Sequence, residues 1–256
     1  MSLADALVLA GQVLNSLERI DQVDIVLCPP SVYIYPVYDQ LQTKPRNLFL
    51  GLQNMMWEDE GAYTGETSFE MVKRICDYVI IGHSERRKYF HETDEEVNKK
   101  TAYALKNNVT PIICVGEQEM FDLETHYERE VKRMKEKDGI LTQIDLALKD
   151  IPKSSLENVA IAYEPVWAIG TGNAATGSYA SAIAYIIREH IKENFGVGVA
   201  TEVKVLYGGS VSVDEVKEFM MQPSIDGLLV GGASLKAGEF VKICQISSEV
   251  KSGRVI

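Results

Sequence analysis

Two side chains that can move protons come directly after apolar segments of this sequence. Glu164 follows the apolar run 159–163, and His83 follows the apolar run 78–81. On one rim of a fold, a carboxylate can remove a carbon-bound proton while an imidazole polarises the neighbouring carbonyl, which is enolisation chemistry. Either residue taken alone is more often structural, as a polar partner or a helix cap. The chemistry therefore depends on whether the fold brings the two together.

Two glycine pairs could bind an anion near such residues. Residues 208–209 precede Ser210, and the second pair is Gly231 and Gly232. Each pair ends an apolar run and leads into a helical segment. Glycine allows backbone N–H groups to approach an oxyanion closely, and a helix N-terminus adds partial positive charge. The alternative interpretation is an ordinary tight turn at each position.

The remaining pattern predicts an α/β fold that places these residues on one rim. Short apolar runs rich in β-branched residues cover 24–28, 48–53, 78–81, 110–115, 159–163, 203–207 and 227–230. Helical spacing covers a first helix capped by Ser2 with Asp5, then 31–41, 69–76, 94–106, 119–148, 175–195, 213–221 and 237–250. This alternation is typical of a parallel sheet with active groups at the carboxyl ends of its strands. Pattern alone allows a barrel or a doubly wound sheet, and the lack of a linker predicts one domain over 1–256.

Composition narrows the class of protein. The chain has 256 residues, a net charge of -11 and 46% hydrophobic residues, which argues against a nucleic-acid surface and supports a large core. Its four cysteines are widely spaced, so they predict reduced thiols rather than disulfides or a zinc site. The apolar start has no basic region before it, and no charge-free run is regular enough to span a membrane. We therefore expect a cytoplasmic protein.

Four segments resemble blocks of one enzyme family, in that family's order. Residues 162–172 read AYEPVWAIGTG, which resembles the loop carrying the general base in the triosephosphate isomerase family. Residues 80–87 (IIGHSERR), 207–211 (YGGSV) and 227–235 (GLLVGGASL) resemble further blocks. The resemblance runs from the first helix to the last.

The resemblance implies a TIM (β/α)8 barrel that interconverts glyceraldehyde 3-phosphate and dihydroxyacetone phosphate in glycolysis and gluconeogenesis, without cofactor or metal. It implies that Glu164 is the base and His83 the electrophile. That family is the standard example of a neutral catalytic imidazole, whose pKa a helix N-terminus lowers. The phosphate-binding residues it implies are Gly170, Ser210, Gly231 and Gly232.

A glycine-rich loop resembles the dimer loop of the same family. Its residues are Gly61, Ala62, Tyr63, Thr64, Gly65 and Glu66. The resemblance implies a homodimer in which Thr64 enters a pocket of the partner. A mobile surface turn is the alternative interpretation.

No segment matches the family's opening strand and its Asn-x-Lys. We therefore expect that the chain begins at an internal methionine and lacks the first barrel strand. Two alternatives stay open, the first of them because the lysine is absent. One is a catalytically impaired or non-catalytic phosphate-binding barrel, and the other is an isomerase of a different phosphosugar.

Overall fold

The computed structural model describes residues 1–17, 20–169 and 175–253. Its strands are β1 (Ile25–Leu27), β2 (Leu48–Leu52), β3 (Tyr78–Ile81), β4 (Thr110–Val115), β5 (Ala160–Tyr163), β6 (Lys204–Tyr207) and β7 (Gly227–Leu228). Its α-helices are α1 (Leu3–Leu14), α2 (Ile34–Gln40), α3 (Ser84–Phe90), α4 (Asp94–Lys106), α5 (Tyr127–Met134), α6 (Ile140–Ala147), α7 (Gly177–Phe195), α8 (Val197–Glu202), α9 (Val216–Met220) and α10 (Ala237–Lys251).

All described strands form one parallel sheet whose order, β1 to β7, is the order of the chain. Each connection carries helical structure and returns the chain to the same end of the sheet, as parallel pairing requires. The sheet curls as a TIM barrel does, so the barrel prediction is confirmed. Every carboxyl strand end therefore lies on one rim.

The two faces of the sheet bury different side chains, because successive residues of a strand point to opposite sides. On β4, Ile113 and Val115 belong to the large core beneath the helices. Ile112 and Cys114 belong to a second cluster inside the curl, together with Ala160 and Ala162 of β5. Three of these inner residues, Cys114, Ala160 and Ala162, have small side chains. Glu164 continues the same alternation.

Two helices begin with the same capping box. The Ser2 and Thr93 hydroxyls accept from the backbone N–H three residues on, and the Asp5 and Glu96 carboxylates accept in return from the cap. Two backbone donors are satisfied at each start. The predicted cap of the first helix is confirmed.

Two helix predictions were wrong in extent. The segment 119–148 contains two helices instead of one, because Asp138 has a φ of 65° and Gly139 begins the second helix. A Cβ at Gly139 would lie 2.4 Å from the Met134 carbonyl oxygen, so this break requires glycine. The segment 69–76 forms only a 3₁₀ turn, Phe69–Val72, and Arg74 then adopts a φ of 69°.

A cleft of about 1490 Å³ runs between the edge strands β1 and β7. Within the described residues each of these strands pairs with one neighbour only. The cleft reaches His83 at the carboxyl rim and Lys204 at the amino end of β6. No helix of the described chain is both long and apolar enough to cross a membrane.

Candidate active site

The backbone places His83 by a turn that needs glycine. Gly82 follows β3 with a φ of 71°, and a Cβ there would lie 2.9 Å from Val97 Cγ2. Arg87 fixes this turn, since its Nε donates to the Gly82 carbonyl at 2.8 Å and Nη1 to Asp94 at 2.6 Å. His83 then becomes the N-cap of α3.

Glu164 lies at the end of β5, and its neighbours approach unusually closely. Its N–H donates to the Val115 carbonyl at 2.8 Å. A Cβ on Gly116 would lie 1.7 Å from the Glu164 carbonyl oxygen, so only glycine fits there. Gln143 fixes Gly116 by accepting from its N–H and donating to its carbonyl. Glu164 is 2% exposed.

The two predicted catalytic side chains are in contact. Glu164 Oε1 lies 2.9 Å from His83 Nε2, and Glu164 Oε2 accepts from the Ser84 N–H at 2.9 Å. Both are hydrogen-bond distances. A buried carboxylate and a part-exposed imidazole therefore share one rim of the sheet, as enolisation chemistry requires.

Backbone geometry assigns the proton on the imidazole. The Glu85 N–H donates to His83 Nδ1 at 3.3 Å, so Nδ1 is an acceptor and Nε2 carries the proton that faces Glu164. Burial lowers the pKa of His83, but the hydrogen bond and charge of Glu164, with Glu85 and Glu92, raise it overall. The direction is opposite to the lowered pKa that the resemblance implies, because Glu164 is in direct contact.

The predicted phosphate-binding residues occupy the neighbouring part of the rim. Ser210 is exposed just beyond β6. Gly231 and Gly232 are exposed after β7, and Gly231 begins a short 3₁₀ turn, Gly232–Leu235. The cleft is lined by His83 and by both of these glycines. Gly170 lies outside the described residues.

Three basic side chains line the described cleft. Arg86 is at the carboxyl rim and pairs with Glu92, whereas Lys204 and Lys251 are at the amino end. At Gly231 and Gly232 the groups that could bind an anion are therefore backbone N–H groups. No group of three or more His, Cys, Asp or Glu residues in the described chain could bind a metal ion.

Sequence reasoning missed one residue of this rim. Glu117, two residues after β4, is 6% exposed. Its Oε1 accepts from the Tyr163 hydroxyl and the Trp167 indole, both at 2.7 Å, and from the Tyr179 hydroxyl at 3.1 Å. These donors come from β5, from the loop after Glu164 and from α7. The sequence around Glu117 contains no pattern that predicts these hydrogen-bond donors.

Comparison with known proteins gives a consistent result. The family model described as "Triosephosphate isomerase" matches residues 1–247. The triosephosphate isomerase of Alkaliphilus oremlandii is 46% identical over 240 residues, 93% of this chain and 92% of that protein. That of Dehalococcoides mccartyi is 41% identical over 251 residues, covering 98% and 94%. That of Caldanaerobacter subterraneus is 48% identical over 221 residues, covering 86% and 85%.

Proposed function

The chain belongs to the triosephosphate isomerase family, and from that premise we propose which of its residues interconvert glyceraldehyde 3-phosphate and dihydroxyacetone phosphate. This reaction exchanges an aldehyde and a ketone on adjacent carbons. A proton must leave one carbon and reach the other through an enediolate, which needs a base and an electrophile side by side. The 2.9 Å contact between Glu164 and His83 is the observation that supports the assignment.

Glu164 is the base that carries the proton between the two carbons. Its carboxylate is buried at the head of the inner cluster, so little water competes with the substrate for it. The Ser84 N–H orients Oε2. To reach a substrate carbon, Glu164 exchanges its contacts with Ser84 and His83 for the substrate.

His83 is the electrophile. With Nδ1 accepting from the Glu85 N–H, the Nε2 proton is free to donate to a substrate oxygen once Glu164 has turned away. That movement also removes the contact that contributes to the raised pKa of His83. A neutral imidazole then stabilises the enediolate oxygen by hydrogen bonding.

Phosphate binds to backbone N–H groups at the adjacent strand ends. Gly231 and Gly232 lie beside the start of a short helix after the last strand, the usual phosphate position of this fold. Ser210, at the end of the preceding strand, supplies a further donor. Gly170 belongs to the same proposal.

The test compares Glu164→Gln with the parent chain on both triose phosphates. Glutamine keeps the volume and polarity of the side chain but removes its basicity, so turnover falls by roughly 10²–10⁴-fold or more. The KM changes little, because phosphate binding is untouched. Glu189→Gln is the matched control, since the Glu189 side chain on α7 is 38% exposed and pairs with Lys192.

Two outcomes would contradict this function. Near-parental turnover of Glu164→Gln would remove the base assignment. Faster turnover of longer phosphosugars than of either triose phosphate would reassign the substrate while leaving the enolisation chemistry in place.

The loop Gly61–Glu66 is part of the same proposal, as the contact of a homodimer. All of its residues, Gly61, Ala62, Tyr63, Thr64, Gly65 and Glu66, are exposed. Glu66 also lines a pocket of about 100 Å³ with Phe90 of α3, and the Phe90 ring is 68% exposed. An exposed aromatic ring beside a small pocket is typical of a protein interface.

Sedimentation equilibrium at micromolar concentration tests the dimer. The parent chain sediments as a dimer, and Tyr63→Glu shifts it towards monomer by placing a charge in the contact. Val197→Glu changes a residue of α8 that is more exposed than Tyr63 and leaves the mass unchanged. A monomeric parent would refute the dimer.

A cytoplasmic location completes the proposal. All four cysteines, Cys28, Cys76, Cys114 and Cys244, are unpaired. Free, mostly buried thiols are typical of a reducing compartment.

A further inference from the structure

Glu117 connects the strand ends around Glu164 to the loop that follows it. Its backbone carbonyl accepts from the Val166 N–H at 3.1 Å, and its carboxylate accepts from Trp167 and from Tyr163. Glu164 lies between these two donors in the chain. Three hydrogen bonds to one residue therefore fix the backbone on both sides of the proposed base.

Only one of the two carboxylate oxygens of Glu117 accepts hydrogen bonds from other described residues. Oε1 accepts three hydrogen bonds, whereas Oε2 is buried and has no partner in any other described residue. Burial raises the pKa of Glu117 to about 7, and the hydrogen bonds from Trp167, Tyr163 and Tyr179 oppose that rise. Burial therefore favours the neutral form of this carboxyl group over its charged form.

We propose that Glu117 positions the segment from Tyr163 to Trp167 around Glu164, and that its hold on this segment depends on a bound proton. In the held state the segment is hydrogen-bonded to Glu117, and in the released state it has moved away. In the released state water reaches the carboxyl group, and its pKa returns to the ordinary value, near 4.5. The held state then binds the proton more tightly than the released state does. By linkage, a proton favours the held state, and its loss as the pH rises through about 7 favours release.

Among the ionisable groups that face Glu117, its own pKa is the one near neutral, and His83, whose pKa is raised, contacts Glu164 within the same segment. Tyr163 of β5, Tyr179 of α7 and Tyr207 of β6 face it, and burial raises the pKa of each above its ordinary value. Trp167 does not ionise. Two positions along the chain, Glu119 forms an ion pair with Arg133 of α5 at 3.7 Å.

Tryptophan fluorescence can follow this hold directly. The chain has two tryptophans, so Trp57→Phe leaves the Trp167 indole, which donates to Glu117, as the sole reporter. Its emission should change in a single transition with a midpoint near pH 7, in a titration from pH 5.5 to 8.5. Amide exchange supplies a second readout, because the protection factor of the Val166 N–H should fall over the same range.

Two variants in the Trp57→Phe background identify the group. Glu117→Gln keeps one acceptor oxygen for the three donors but cannot ionise, so its emission stays flat. Tyr163→Phe removes a donor that stabilises the charged form, so the midpoint moves up by about half a pH unit or more. Near-UV circular dichroism checks that each variant is folded.

A transition that survives in Glu117→Gln, or no transition in the Trp57→Phe parent, would overturn the proposal. If Glu117→Gln does not fold, an unchanged midpoint in Tyr163→Phe overturns it as well. The effect on turnover rests on the proposed role of Glu164: the ratio of parental to Glu117→Gln kcat should change around pH 7, with KM unaffected. An inactive chain with an intact fluorescence transition would refute the function but not the role of Glu117.

Discussion

The rim above β4 and β5 and the rim beyond β7 are built in opposite ways. At Gly116 an added Cβ would meet the Glu164 carbonyl at 1.7 Å, and Gln143 fixes the backbone of this glycine. At Gly231 and Gly232 an added Cβ would meet nothing within 4 Å. The first rim, called the dry rim below, is buried and joined by hydrogen bonds, whereas the second rim consists of exposed backbone.

This difference corresponds to the chemistry that each rim is proposed to perform. Proton transfer tolerates little misplacement, so the backbone of Glu164 is fixed by its neighbours. Anion binding by N–H groups needs open access and no side chain. Glycine is thus present for two unrelated reasons on one sheet, close packing in one place and accessibility in the other.

The largest effect expected from this comparison concerns two identical substitutions. Gly116→Ala should lower the free energy of unfolding by about 3 kcal/mol or more, because the clash is with backbone that cannot turn away. Gly231→Ala should change it by less than about 0.5 kcal/mol. Urea unfolding of both variants measures the contrast, and equal losses would break it.

A neighbouring pair of lysines on α4 sharpens the contrast between buried and exposed contacts. Lys100 is 4% exposed and bonds to Glu92 at 2.7 Å, whereas Lys99 pairs with Glu95 in solvent. Lys100→Met leaves Glu92 with Arg86 alone and should cost about 3 kcal/mol. Lys99→Met should cost less than about 1 kcal/mol. Thermal and urea unfolding measure the stability lost in each variant. Similar losses in the two variants would contradict the difference between buried and exposed contacts.

The dry rim also predicts a pH dependence of stability. The pKa of Glu117 is about 7 in the fold and near 4.5 when it is exposed, so the folded chain holds the proton more tightly. Stability is therefore lost as the pH rises from 4.5 to 7 and is constant above that. Relative to Glu117→Gln, the parent should lose about 2 kcal/mol between pH 5 and pH 8. Parallel unfolding curves at every pH would show that Glu117 does not titrate.

The smallest expected effect compares two equal capping boxes. Thr93 begins α4, which packs on β3 and β4, whereas Ser2 begins α1, which lines the cleft. Thr93→Ala should cost about 1 kcal/mol of global stability. Ser2→Ala should cost less and should mainly speed amide exchange in the first turn of α1. Equal global losses would mean that both sides of the sheet unfold as one unit.

The acid–base pair was accessible to sequence reasoning because it depends on strand ends. Glu164 and His83 each follow an apolar run, and parallel strands bring their carboxyl ends together. The runs 78–81 and 110–115 match β3 and β4 residue for residue. Strand positions decided by alternation and burial could therefore be predicted.

What could not be predicted depends on contacts distant in sequence. The three donors to Glu117 come from residues 46 to 62 positions away, and no local pattern records them. The break at Gly139 was missed because periodicity continues on both sides of it, whereas the turn is decided by a close approach to Met134. The proton on His83 likewise depends on one backbone N–H.

The sheet order carries a consequence for how this chain reaches its fold. Each strand from β2 to β7 pairs with the strand that precedes it in the chain. Every pairing therefore closes a loop of moderate length, and because the entropy cost grows only with the logarithm of that length, it changes little along the sequence. Each new strand can add to the edge left by the last one while the polypeptide is still being made. Synthesis and assembly of this sheet can thus run in the same direction, one strand at a time.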